Sequence, residues 1–79
     1  MMITEYTPIK FKGFHLDGKT SYNYWVIKLG ENLYYKMYDE KKIEATTNEK
    51  YAAHIANEKF TIELIGFLKK FYDEHGHVK

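Results

Sequence analysis

The sequence predicts an α+β fold, a three- to four-stranded antiparallel meander with a C-terminal helix or two helical segments packed on one face. Three observations carry this. Residues 22–38 form two arms rich in aromatic and β-branched residues, separated by Gly30-Glu31-Asn32. Asp17-Gly18 and Asp39-Glu40-Lys41 mark turns before and after that pair. From Phe60 onward, apolar residues recur at helical spacing.

The central hairpin sets the register. Directly opposed residues of an antiparallel pair share a face, so loop length decides which side chains meet. A two-residue loop at Gly30-Glu31 would pair Trp25 with Lys36 and mix the faces. The three-residue loop Gly30-Glu31-Asn32 pairs Trp25 with Met37, Ile27 with Tyr35 and Leu29 with Leu33. Such a loop needs a left-handed residue at its last position, and Asn32 tolerates that conformation. The odd-numbered side chains then form the core face. The other face sets Tyr24 opposite Tyr38, Val26 opposite Lys36, and Lys28 opposite Tyr34.

Ahead of this hairpin, residues 1–7 read as a tail that pairs late. Pro8 suits an edge strand because it cannot donate to a ladder. Ile9 and Phe11 alternate, then Phe14 and Leu16 alternate one position out of phase, and Gly13 at the change predicts a β-bulge. Asp17-Gly18 predicts a type I′ turn that sets Leu16 opposite Lys19 and Phe14 opposite Ser21, with Phe14 beside Trp25. After the hairpin, pairing across residues 39–41 sets Ile43 opposite Met37 and Ala45 opposite Tyr35 in a short edge strand.

Thr46-Thr47-Asn48-Glu49 reads as a capping box with helix behind it. Phe60, Leu64, Phe67, Leu68 and Phe71 make an amphipathic stripe, and Tyr51, Ile55, Ile62, Ile65 and Tyr72 make a second stripe out of phase with it. A break near Asn57-Glu58 is the better reading. An unbroken helix from Thr47 to Glu74 would be about 42 Å long, against about 33 Å for a ten-residue strand. Were the helix continuous, Ile62, Ile65 and Tyr72 would call for a symmetric dimer. Asp73 and Glu74 oppose the helix dipole, Lys69 and Lys70 offset them, and Gly76 stops the helix.

The 79 residues make one domain, 1–79, with a small core. There is no Cys, so no disulfide or thiolate site. No apolar run resembles a signal peptide or membrane span, which makes the cytoplasm the expected compartment. Net charge is +1, and all 12 basic residues are Lys. Without Arg, the usual bidentate reader of phosphate and guanine, duplex nucleic-acid binding is disfavoured. The Lys, Ile, Tyr and Asn content fits AT-rich coding, as in phages and mobile elements.

No motif supports catalysis or a cofactor. Asp73-Glu74-His75-Gly76-His77 has metal-ligand chemistry but lies on a helix end where rigid fourfold coordination is hard to build. His15 and His54 have no nucleophile near them in sequence. The outer sheet face is the exception: Tyr22, Tyr24, Lys28, Tyr34, Lys36 and Tyr38 interleave rings with cations, with Lys10 and Lys12 joining from the first strand. Tyr anchors protein interfaces at low entropic cost, and rings alternating with Lys also suit single strands. The expected function is therefore a non-enzymatic protein-binding module, an inhibitor or adaptor acting in the host cytoplasm if phage-encoded. Its alternative is a single-stranded nucleic-acid binder using the same face.

Overall fold

The computed structural model describes residues 2–75. It contains strands β1 (Thr7–Phe14), β2 (Ser21–Gly30), β3 (Leu33–Tyr38) and β4 (Ile43–Thr46), a 3₁₀ turn at Glu49–Tyr51, and helix α1 (Glu58–His75). The strands make one antiparallel sheet in the order β1-β2-β3-β4. The expected meander is present, and the helix lies on one of its faces.

The β1–β2 ladder runs without interruption from Thr7↔Lys28 to Phe14↔Ser21. The expected register holds, but the turn is different. His15 N–H donates to the Thr20 carbonyl and the His15 carbonyl accepts from Gly18 N–H, both at 2.9 Å. Gly18 is left-handed (φ 71°) and Asp17 is not, so no type I′ turn forms. The Asp17 carboxylate accepts instead from the amides of Lys19 and Thr20 and from the Thr20 hydroxyl. There is also no bulge at Gly13. Ile9 and Phe11 therefore share a face with Val26 and Tyr24, whereas Lys10, Lys12 and Phe14 share the face of Trp25.

At the second turn, Lys28 pairs with Tyr34 as expected, but Gly30 and not Leu29 pairs with Leu33; an irregularity between Lys28 and Gly30 absorbs one residue, so the loop is Glu31-Asn32 and not the expected three residues. Asn32 takes the left-handed conformation at φ 53°. Beyond Lys28 and Tyr34 the two strands separate, and residues 53–55 enter the gap. Ile55 exchanges both backbone hydrogen bonds with Trp25, at 2.7 and 2.9 Å, and Ala53 N–H donates to the Tyr35 carbonyl at 3.0 Å. The expected Trp25–Met37 and Ile27–Tyr35 ladder pairs are therefore replaced. Ala52 to Ala56 is locally a good helix former. It is extended because β2 and β3 would otherwise bury unpaired amides and carbonyls between them.

Tyr35 pairs with Ala45, as expected, but Met37 pairs with Glu44 and Tyr38 with Ile43. The extra residue at Lys36 is a β-bulge. It turns Met37 outward and brings Tyr38 to the helix side, the reverse of the alternation read from the sequence.

The core face is the odd-numbered one through Ile27, Leu29, Leu33 and Tyr35. They pack with Ile43, Ile55, Ile65 and Leu68, and with Ile3 from the N-terminal segment. That segment is not a loose tail: Thr4 and Glu5 both donate to the Leu29 carbonyl. Burying each such aliphatic side chain stabilises the fold by roughly 1.5–3 kcal/mol.

The helix starts at Glu58, so the break near Asn57-Glu58 is present. Its cap is Asn57, whose Oδ1 accepts from Phe60 N–H at 3.1 Å. The Thr46–Glu49 capping box does not form. Thr46 Oγ1 accepts from Asn48 N–H, and Asn48 caps the short 3₁₀ turn. The buried side of α1 is Thr61, Ile65 and Leu68, flanked by Leu64, Phe71 and Tyr72. Thr61 is tolerated there because its hydroxyl donates to the Asn57 carbonyl at 2.8 Å. Ile65 is thus core and Tyr72 packs beside it, which removes both from the proposed dimer stripe. Phe60 and Phe67, expected in the core, are exposed. The expected stop at Gly76 and His77 of the metal-like cluster lie outside the described residues.

Candidate functional site

The six residues singled out on the outer sheet face divide into three groups. Tyr22 and Tyr24 stay together with ring centroids 6.0 Å apart. Tyr24 stacks on Phe11 at 5.6 Å and on His54 at 4.2 Å, while Tyr22 meets His15 at 5.0 Å. His54 reaches this stripe because residues 53–55 are extended and Ile55 bridges to Trp25. Ile55 then points into the core, and His54, one residue earlier, points outward. The Tyr24 hydroxyl faces Glu49, and burial, followed by that carboxylate, raises its pKa. The rings of Tyr24 are therefore already occupied by the protein's own side chains.

Lys28 and Tyr34 form the second group, a half-buried cross-strand pair. Lys36 lies at the bulge, 3.6 Å from the Glu44 carboxylate. Tyr38 is on the other face. It packs on Phe67 at 4.9 Å and Phe71 at 5.7 Å, next to a shallow depression of about 240 Å³ lined by Phe67, Lys70, Phe71 and Glu74. Lys10 and Lys12 also lie on the face opposite to the one expected. The Lys10 ammonium sits 5.9 Å above the Trp25 ring and that of Lys12 5.8 Å above Phe14.

What the structure brings together instead is the outer half of the β1–β2 hairpin. No family model, curated protein or solved structure matches the chain. The hairpin must therefore be read on its own chemistry. It carries an aromatic stripe on one face and Lys10, Lys12, Phe14 and Trp25 on the other. Its turn presents Leu16, which is fully exposed, and Phe14 is 62% exposed. Lone exposed apolar residues are ordinary; two of them together at the end of one arm form a patch, whereas Trp25 lies farther along β2, opposite Lys10 and not beside Phe14 as expected. The sequence signal for this patch was the phase change at Gly13. It marks a strand that offers aromatic rings to both faces.

Electrostatics distinguish the arm from the rest. Residues 6–30 contain Lys10, Lys12, Lys19 and Lys28 against Asp17 alone, a net +3 within a chain of net +1, leaving −2 for the remainder. Hydrogen bonds from Thr20 and Lys19 hold the Asp17 carboxyl below its usual pKa, so that one acid stays ionised inside its turn.

Proposed function

We propose that the protein is a small non-enzymatic binding module whose β1–β2 arm contacts a target protein. The observation that supports this is the exposed Phe14–Leu16 end of a hairpin that reaches beyond its own core. Aliphatic Leu16 suits a protein pocket and has no π-face for a base. An inhibitor or adaptor of a phage or mobile element, working in the host cytoplasm, fits the size and composition. No described helix is long and apolar enough to cross a membrane. The test is capture of partners from source-organism lysate with the wild type and with Phe14→Ser/Leu16→Ser, identified by mass spectrometry. The double variant should keep its stability within about 0.5 kcal/mol and lose the partner. An unchanged partner set would remove the arm from the contact.

Trp25 and Phe14 beneath Lys10 and Lys12 favour a second reading, a single-strand nucleic-acid platform. Binding would then weaken by roughly 0.7 log units per phosphate contact for each log unit of salt. We expect labelled oligonucleotides to bind no tighter than the non-specific range of about 10⁻⁴–10⁻⁶ M. Sub-micromolar single-strand affinity, lost in Lys10→Glu/Lys12→Glu, would put this reading first.

A further inference from the structure

We propose that β1 is a receiving edge, taking an extended segment of the partner as an added strand with acidic side chains beside Lys10 and Lys12 and apolar ones beside Ile9 and Phe11. This rests on the protein-binding reading above and names the chemistry of the target.

β1 is the first strand of the sheet, with β2 on one side only. His15 N–H points to β2, since it donates to Thr20. The ladder below it is uniform, and antiparallel amides alternate in direction. The amides of Gly13, Phe11 and Ile9 therefore also face β2, while those of Phe14, Lys12 and Lys10 face the open side. Pro8 falls on an outward position, where a missing N–H costs the sheet nothing. The edge thus offers three consecutive outward amides, followed by a stop.

Charge selects the occupant. Among the described residues, no carboxylate lies within ion-pair distance of Lys10 or Lys12; Lys36, by contrast, has Glu44. A second copy of β1 is a poor occupant. Antiparallel pairing centred on Phe11 would set Lys10 against Lys12 twice, and directly opposed like charges destabilise a sheet. The same lysines that repel a copy attract a strand with acids at alternate positions. On the opposite face, Ile9 and Phe11 are half-buried beside Val26 and Tyr24 and would accept apolar side chains. The partner's pattern is therefore alternating acidic and apolar residues, read by strand addition.

The probe is a capped eight-residue peptide alternating Val and Glu, followed by residue-resolved amide exchange. At about 90% saturation, exchange at Lys10, Lys12 and Phe14 should slow about tenfold, while Ile9, Phe11 and Gly13 change little. Lys10→Glu/Lys12→Glu should weaken the peptide about tenfold or more and admit a Val/Lys peptide in its place. Both positions are exposed, and circular dichroism checks that the variant is folded; Lys10→Ala/Lys12→Ala replaces it otherwise. Unchanged exchange at the outward amides overturns the proposal. So does equal binding of a peptide with the same Val and Glu in two blocks, which would mean charge attraction without strand addition. Protection by oligo-thymidylate but not by the peptide would give the edge to nucleic acid. Partner capture lost in Phe14→Ser/Leu16→Ser but unaffected by charge reversal would refute the added strand and leave the protein-binding reading standing.

Discussion

A methyl group at Gly13 would lie 2.5 Å from Cζ of Tyr22. The Tyr22 ring lies flat over its cross-strand partner, which only glycine allows. Gly13→Ala should push the ring into solvent and cost about 1 kcal/mol in urea denaturation, since overpacking outweighs the gain in strand propensity. In a Tyr22→Ala background the same change should be neutral or stabilise by up to about 1 kcal/mol. Equal effects in both backgrounds would refute the packing account. Tyr35 offers a pH test. Burial, then the neighbouring Tyr38, pushes its pKa up to about 12 from 10.0. The folded state therefore holds the phenolic proton more tightly than the unfolded chain. That contribution is fully present below about pH 10 and is lost as pH rises towards 12. Tyr6 and Tyr24 are raised too and act in the same direction. Unfolding free energy measured from pH 8 to 11.5 should fall at the alkaline end, and less steeply in Tyr35→Phe.

At the level of elements, the helix cap is the clearest assay of how the chain divides. Asn57→Ala should cost about 1 kcal/mol, and Thr46→Ala less, because Thr46 caps no helix. The opposite ranking would restore the capping box. Alternation and turn chemistry made much of the sheet legible. Phe14–Ser21, Lys28–Tyr34 and Tyr35–Ala45 pair as expected although the first two turns differ from those read from the sequence, and Asn32 adopts the left-handed conformation. What escaped the sequence were events that do not alter local composition. The bulge at Lys36 exchanged the faces of Met37 and Tyr38, which removed Tyr38 from the candidate surface. Residues 53–55 answered backbone groups of Trp25 and Tyr35, so an Ala-rich stretch became extended and delivered His54 to the aromatic stripe. Gly13 reads as a bulge only if both apolar phases share one core, and the ladder through it is uninterrupted. Each phase in fact has its own neighbours, Tyr24 on one side and Trp25 on the other.

The whole molecule is elongated. Its radius of gyration is 13.2 Å and its extents are 43 × 23 × 21 Å, against about 11.6 Å expected for a compact domain of this length. The extra length places Leu16 beyond the helix-covered core, where a partner can reach it. Of the second helical stripe, Ile65 is 7% exposed and is spent on the chain's own core, whereas Ile62 is 56% exposed. Ile62→Lys should leave both sedimentation behaviour and stability within about 0.5 kcal/mol of wild type. A shift from dimer to monomer would return Ile62 to an interface.

The extended segment at residues 53–55 also sets the order of events in folding. β2 and β3 can zip only near their turn, because the rest of the seam must wait for Ile55 to arrive from thirty residues downstream. Closing that loop is an entropic toll charged before any of its contacts are gained. Ile55→Val should therefore slow refolding in stopped-flow measurements, whereas Phe14→Ala on the early, local arm should alter neither limb of the chevron much. A refolding rate untouched by Ile55→Val would mean that the seam closes after the barrier has been crossed.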